Sequence, residues 1–220
     1  MFINLYNSYK LLNIDYLRLR NNKEIFFPIL PSLICKEICL NVGFRAVFLF
    51  RIGHFFQKEK FRIGAAFSER IMRHLCHCRI SSNVEIGPGF IISHGSGIII
   101  DSKSGPIGNN FTIRQNVTLG GNYGKSNGTQ EQPIIGDNVS IGPGAAILGP
   151  ICIGNNTIIG ANAVVTTNIP PNSVVSAFRA EVVATLSETG VFERFPYSSL
   201  SRKDIYQQLN ILKSSMRNSI

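Results

Sequence analysis

A mainly β fold is predicted: a parallel solenoid of triangular cross-section (a triangular prism), preceded by a helical segment and followed by a helix. Three observations predict it. Aliphatic residues recur at every sixth position from Ile135 through Ile141, Ile147, Ile153, Ile159 and Val165. Glycine follows four of them, at Gly136, Gly142, Gly154 and Gly160. Four residues after each aliphatic lies a second, mostly small or branched residue: Val139, Ala145, Ile151, Thr157, Ala163 and Ile169. Period six is neither the 3.6 of a helix nor the strict alternation of a long strand. It describes a short strand and a sharp corner, repeated, with three units closing one coil so that each aliphatic stacks on its counterpart a coil below.

The elements follow in order. Residues 1–79 read as an N-terminal helical segment, because Leu33, Ile34, Ile38, Val42, Phe48 and Ile52, and then Ile71, Met72 and Leu75, recur at helical spacing. Residues 80–180 form the solenoid. Its register runs through Ile86, Ile92 and Ile98, and then through Ile107, Ile113 and Leu119, with three residues inserted near Ser102 to Ser104. An excursion from Asn122 to Pro133 interrupts it once more. The Gly, Asn and Asp residues after the aliphatics are expected to supply corners of positive φ. Pro170 and Pro171 punctuate the end, and residues 181–220 form a tail in which Ile205, Leu209, Leu212 and Met216 outline an amphipathic helix over 202–217.

Composition narrows the function classes. The formal net charge of +9 is concentrated in residues 1–80, with 13 basic and 5 acidic side chains. There Arg45, Arg51, Lys58, Lys60, Arg62, Arg70 and Arg73 alternate with Phe and Leu, a pattern suited to peripheral association with an acidic membrane surface. No stacking module or recognition motif accompanies the charge, so nucleic acid is not the expected partner. Five cysteines, an odd number, do not make a disulfide framework, and together with the absence of a signal-like start or a long apolar run they point to a cytoplasmic protein. His74, Cys76, His77 and Cys78 lack a second ligand pair at zinc-site spacing, so no metal is expected.

Three stretches resemble the hexapeptide-repeat acyltransferases, and within them the serine acetyltransferase-like branch. They are Ile86-Gly-Pro-Gly-Phe-Ile-Ile-Ser-His94-Gly-Ser-Gly, Ile107-Gly-Asn-Asn-Phe-Thr-Ile-Arg-Gln-Asn-Val-Thr-Leu-Gly-Gly121, and Ile135-Gly-Asp-Asn-Val-Ser-Ile-Gly-Pro-Gly-Ala-Ala-Ile-Leu-Gly149. The resemblance implies a left-handed parallel β-helix, acetyl-CoA as donor, and a homotrimer with active sites between neighbouring prisms. Phe48-Leu-Phe-Arg-Ile-Gly-His54-Phe resembles the subset that acetylates sugars of extracellular or capsular polysaccharides.

His94 is the only histidine within the repeat, and its place in the hexad turns it outward. An imidazole can take a proton from an alcohol and return it. The resemblance therefore gives it the role of catalytic base. A carbonic-anhydrase-type zinc site would need three repeat histidines. The aspartate that serine-specific members carry fifteen residues earlier is Arg79 here, and Asp101 lies too far along the chain to replace it. Glu131 and Gln132, before Pro133, stand where those members carry Arg-His, which removes an arginine for an amino-acid carboxylate. Gly120, Gly121, Ala145 and Ala163 match positions lining the donor groove, and Arg179 is a candidate for the CoA phosphates. The expected reaction is O-acetylation of a sugar hydroxyl in polysaccharide assembly. The alternatives are serine O-acetylation and a hexapeptide-repeat scaffold without catalysis.

Overall fold

A computed structural model describes residues 2–20, 31–101, 105–121, 132–178, 184–186 and 192–194. Four helices come first: α1 (Phe2–Leu19), α2 (Pro31–Leu40), α3 (Val42–Lys58) and α4 (Arg62–Cys76). Short strands follow as β1 (Arg79–Ile80), β2 (Ile91–Ser93), β3 (Ile99–Ile100), β4 (Thr112–Arg114), β5 (Thr118–Gly120), β6 (Ile134–Ile135), β7 (Ser140–Ile141), β8 (Ala146–Leu148), β9 (Cys152–Ile153), β10 (Ile158–Ile159), β11 (Val164–Val165) and β12 (Val174–Val175). The chain divides into two compact units, residues 1–177 and 178–220. In the second, β13 (Ala184–Leu186) pairs antiparallel with β14 (Phe192–Arg194). The helix expected over 202–217 lies outside the described residues.

All pairings in the first unit are parallel and form three faces. One runs β1-β3-β5-β8-β11, a second β2-β4-β7-β10-β12. The third stacks Ile86 on Ile107, Ile135, Ile153 and Ile169. Ile80, Ile100, Leu119, Ile147 and Val165 form one inward column, and Ile92, Ile113, Ile141 and Ile159 another, all buried. Backbone N–H and C=O groups are satisfied between coils rather than within them, which lets strands of two or three residues persist.

The corners depart from expectation in an instructive way. Positive φ falls three residues after the aliphatic, at Asn110, Asn116, Asn138, Asn156, Asn162 and Asn172, not directly after it. The glycines that directly follow are needed for close approach. A Cβ on Gly142 would meet the Ala161 nitrogen at 2.7 Å, and one on Gly154 the Pro171 nitrogen at 2.4 Å. Asparagine suits the left-handed corners because its short side chain tolerates that region. Here it also bonds its neighbours: Asn110, Asn138, Asn156 and Asn172 form a ladder of Nδ2–H···Oδ1 bonds, each 2.9 Å.

The helices are fastened to the first coils by buried guanidinium groups. Arg51 of α3 donates to Asp15 of α1 (Nε to Oδ2, 2.8 Å) and to the carbonyls of Ile86 and Gly87, both at 2.7 Å. Asp15 also accepts from the Phe90 amide at 2.8 Å. Arg18 donates to the carbonyls of Gly89 and Phe111 and to the Thr112 hydroxyl. His54 bonds the Ser82 carbonyl through Nδ1 at 2.9 Å, and burial lowers its proton affinity against the opposing pull of that carbonyl. Much of the basic character of this segment therefore serves attachment. Arg45 caps the carbonyls of Ile38 and Cys39, and Lys58 pairs with Glu85. Among the described residues no helix is long and apolar enough to cross a membrane.

Candidate active site

His94 follows β2 at a corner unlike the others. Ser93 pairs with Arg114 and Ile99 with Thr118. Between these registers the lower coil has five residues and the upper three. Gly97 occupies the place of Asn116, since a Cβ there would meet the Asn116 Oδ1 at 2.2 Å, so the extra pair is His94 and Gly95. The three-residue insertion expected near Ser102 is thus divided, two residues falling at His94-Gly95 and one in 101–106. Ile98, taken as part of the first aliphatic column, belongs to the second, and Ile100 takes its place. The run Ile98-Ile99-Ile100 hides this in the sequence, because each residue could fill either phase.

The two-residue excess carries His94 outward. It is exposed, with φ 55°, and among the described residues no group bonds its ring. Helix α3 approaches this corner end-on. Asn41 caps α3 by accepting from the Phe44 amide at 3.1 Å. A Cβ on Gly43 would meet the Ile92 carbonyl oxygen at 2.0 Å, and one on Gly95 the Gly43 Cα at 3.3 Å. Around this contact opens a cleft of about 500 Å³, lined by His94, Ser93, Arg20, Glu37, Asn41 and Leu40 among others. Arg20 ends the first helix and forms an ion pair with Glu37 of α2, whose other oxygen accepts from Asn41 at 3.0 Å.

The remaining candidates fall in different places. Gly120 closes β5 in a half-buried position, and a Cβ there would meet nothing closer than 3.8 Å. Packing does not demand glycine there, which leaves room for a ligand's approach. Gly121 is exposed. Ala145 and Ala163 are buried in the prism core, backbone included, and their amides lie 3.4 Å from the carbonyls of Gly142 and Gly160. Arg179 and Glu131 lie outside the described residues. Arg79 is exposed on the first face, and Asp101 accepts from the buried Gln132 at 3.1 Å. Cys76 and Cys78 are buried while His74 and His77 are exposed, so the four do not converge. Burial pushes the Cys78 thiol up to about 11. The sequence analysis missed Arg20, Glu37 and Gly43; only Asn41, a helix-capping residue before an apolar run, left a readable signal.

A parallel β-helix of hexads matches the fold of the hexapeptide transferases, and residues 132–167 match the family described as bacterial transferase hexapeptide (six repeats). The chain is 35% identical over 148 residues to a serine acetyltransferase of Helicobacter pylori, spanning 67% of this chain and 85% of that one. It is 36% identical over 168 residues to a serine acetyltransferase of Staphylococcus aureus, spanning 76% and 78%. It belongs to the serine acetyltransferase family and is an acyltransferase. Among solved structures, the Neisseria gonorrhoeae serine acetyltransferase in complex with serine superposes with a TM-score of 0.65 at 28% identity, covering 80% of this chain and 69% of that one. A serine acetyltransferase in complex with CoA gives 0.61 at 27%, covering 78% and 70%.

These relatives overturn the expected sugar acceptor. Physically, both arguments for it fail. The segment Phe48 to Phe55 is scaffold: Phe50 is fully buried, Arg51 and His54 bond the first coil, and Gly53 lies against Ser82 and Ser68. Although no arginine stands at positions 131 and 132, one does line the cleft, Arg20.

Proposed function

We propose that the protein is a serine O-acetyltransferase using acetyl-CoA. The observation that carries this reading is the widened corner at His94, opening onto a polar cleft in a chain whose relatives are serine acetyltransferases. His94 takes the proton of the serine hydroxyl as the oxygen attacks the thioester carbonyl. The tetrahedral intermediate collapses by breaking the C–S bond, and the thiolate of CoA recovers the proton from the imidazolium. The donor lies along the open backbone at Gly120-Gly121. Where the family pattern has an aspartate behind the ring, Arg79 stands here, so the ring is oriented by groups other than that residue.

The unit that performs this is a homotrimer with sites between prisms. Support comes from α4, where Ile63 (78% exposed), Phe67 (64%) and Leu75 (54%) leave an apolar stripe uncovered in one subunit. The test is thiol release from acetyl-CoA by purified protein with L-serine as acceptor. Turnover dependent on serine is expected. Silence with serine, combined with turnover of another hydroxyl compound, overturns the reading.

A further inference from the structure

Among the arginines of the helical segment, Arg18, Arg51 and Arg20 are used differently. Arg18 and Arg51 spend their donors on carbonyls of the first coils and on Asp15. Arg20, one helical step from Arg18, turns to the cleft beside His94. Its side chain is 49% exposed, and among the described residues its guanidinium has the single partner Glu37. A guanidinium has five N–H donors in a planar fork, so most of that fork remains open to the cleft. Glu37 is the opposite: its side chain is 6% exposed, held by Arg20 on one oxygen and by Asn41 on the other.

As a stabilising device this pair is poor. A half-solvated arginine contributes little, and a carboxylate taken out of water costs much of what its partner returns. As a recognition device it has the right parts. A free amino acid presents a carboxylate, and an arginine held on one side by a buried glutamate offers it the open donors of the planar fork. The cleft that holds the pair also holds His94.

We propose that Arg20 is the docking point of the acceptor: steadied by Glu37, it receives the α-carboxylate through its open donors, and the side-chain hydroxyl is presented to His94. This rests on the serine acetyltransferase reading and assigns its specificity to Arg20, just past α1, and to Glu37 of α2. No covalent step involves either residue; both are positioning groups.

The experiment is steady-state kinetics on the full chain with L-serine, ethanolamine (no carboxylate) and glycerate (no ammonium) as acceptors. For Arg20→Gln, the KM for serine should rise about 10–100-fold, the worth of a charge-assisted hydrogen bond pair. The KM for acetyl-CoA should stay put, and Arg20→Lys, which keeps a cation beside the buried Glu37, should recover part of the loss. Turnover of ethanolamine should be the same in wild type and Arg20→Gln, because nothing is left for Arg20 to hold. Glu37→Gln, which loosens Arg20, should weaken serine and glycerate alike and leave ethanolamine unaffected. If wild type turns over serine and either Arg20 variant keeps the wild-type KM, the docking assignment is wrong while the function stands. If wild type does not turn over serine at all, the function fails and the assignment with it.

Discussion

At the scale of single residues, His94 combines a reactive side chain with an uncommon backbone. Its φ of 55° lies in the left-handed region, where asparagine is tolerated far better than most side chains. Replacing it with alanine would therefore confound lost chemistry with backbone strain. His94→Asn separates them: kcat should fall about 10²–10⁴-fold, the usual worth of a positioned general base, while the thermal melt is unchanged. Retained turnover in that variant would remove the imidazole from the mechanism. His94 was legible in the sequence as the one histidine of the repeat within a matching motif. The cleft around it was not, because Arg20, Glu37 and Gly43 come from three helices and meet only through tertiary packing. No spacing rule links an arginine ending one helix to a glutamate in the next.

At the scale of elements, the decisive contact is the end of α3 on the widened corner. Gly43 and Gly95 allow backbone to touch backbone there, and a methyl group on Gly43 has nowhere to go, since the Ile92 carbonyl is fixed in the β2–β4 ladder. Gly43→Ala should cost about 1–3 kcal/mol through overpacking. For a chain of this length that lowers Tm by roughly 2–10 °C. Because α3 must shift away from His94, kcat/KM for the acceptor should drop more than the melt alone would explain. A variant that melts and turns over like wild type would show that the contact is dispensable. The coils themselves could be read from the hexads, since Ile135 to Val165 hold one phase without a break. The reading slipped one coil lower, where three consecutive isoleucines supply no phase. It also gave the glycines the wrong task, because a backbone near-collision between coils leaves the same mark in a sequence as a corner of positive φ.

At the scale of the whole molecule, the proposed homotrimer is supported by apolar side chains that one subunit leaves uncovered. Ile63 and Phe67 lie one turn apart on α4, and Val164 stands 69% exposed on the outer side of β11. Sedimentation equilibrium should give about three times the 24.3 kDa of one chain. The double variant Ile63→Asp/Phe67→Asp should sediment lighter, with its circular dichroism preserved and its activity lost. A wild-type protein that is a monomer at assay concentration and fully active would exclude shared sites.

The asparagine ladder carries a consequence for how such a chain can change in length. Each rung recognises only an identical rung above and below, so nothing in Asn138 records whether it is second or fifth in the stack. The ladder also runs in register from Asn110 to Asn138 although 28 residues separate them, against 18 between Asn138 and Asn156. Whole turns can accordingly be gained or lost by duplication or deletion, and excursions lengthened at that point, without renegotiating the rest: the interior behaves as a ruler with interchangeable divisions, against which the one irregular division, at His94, keeps its identity.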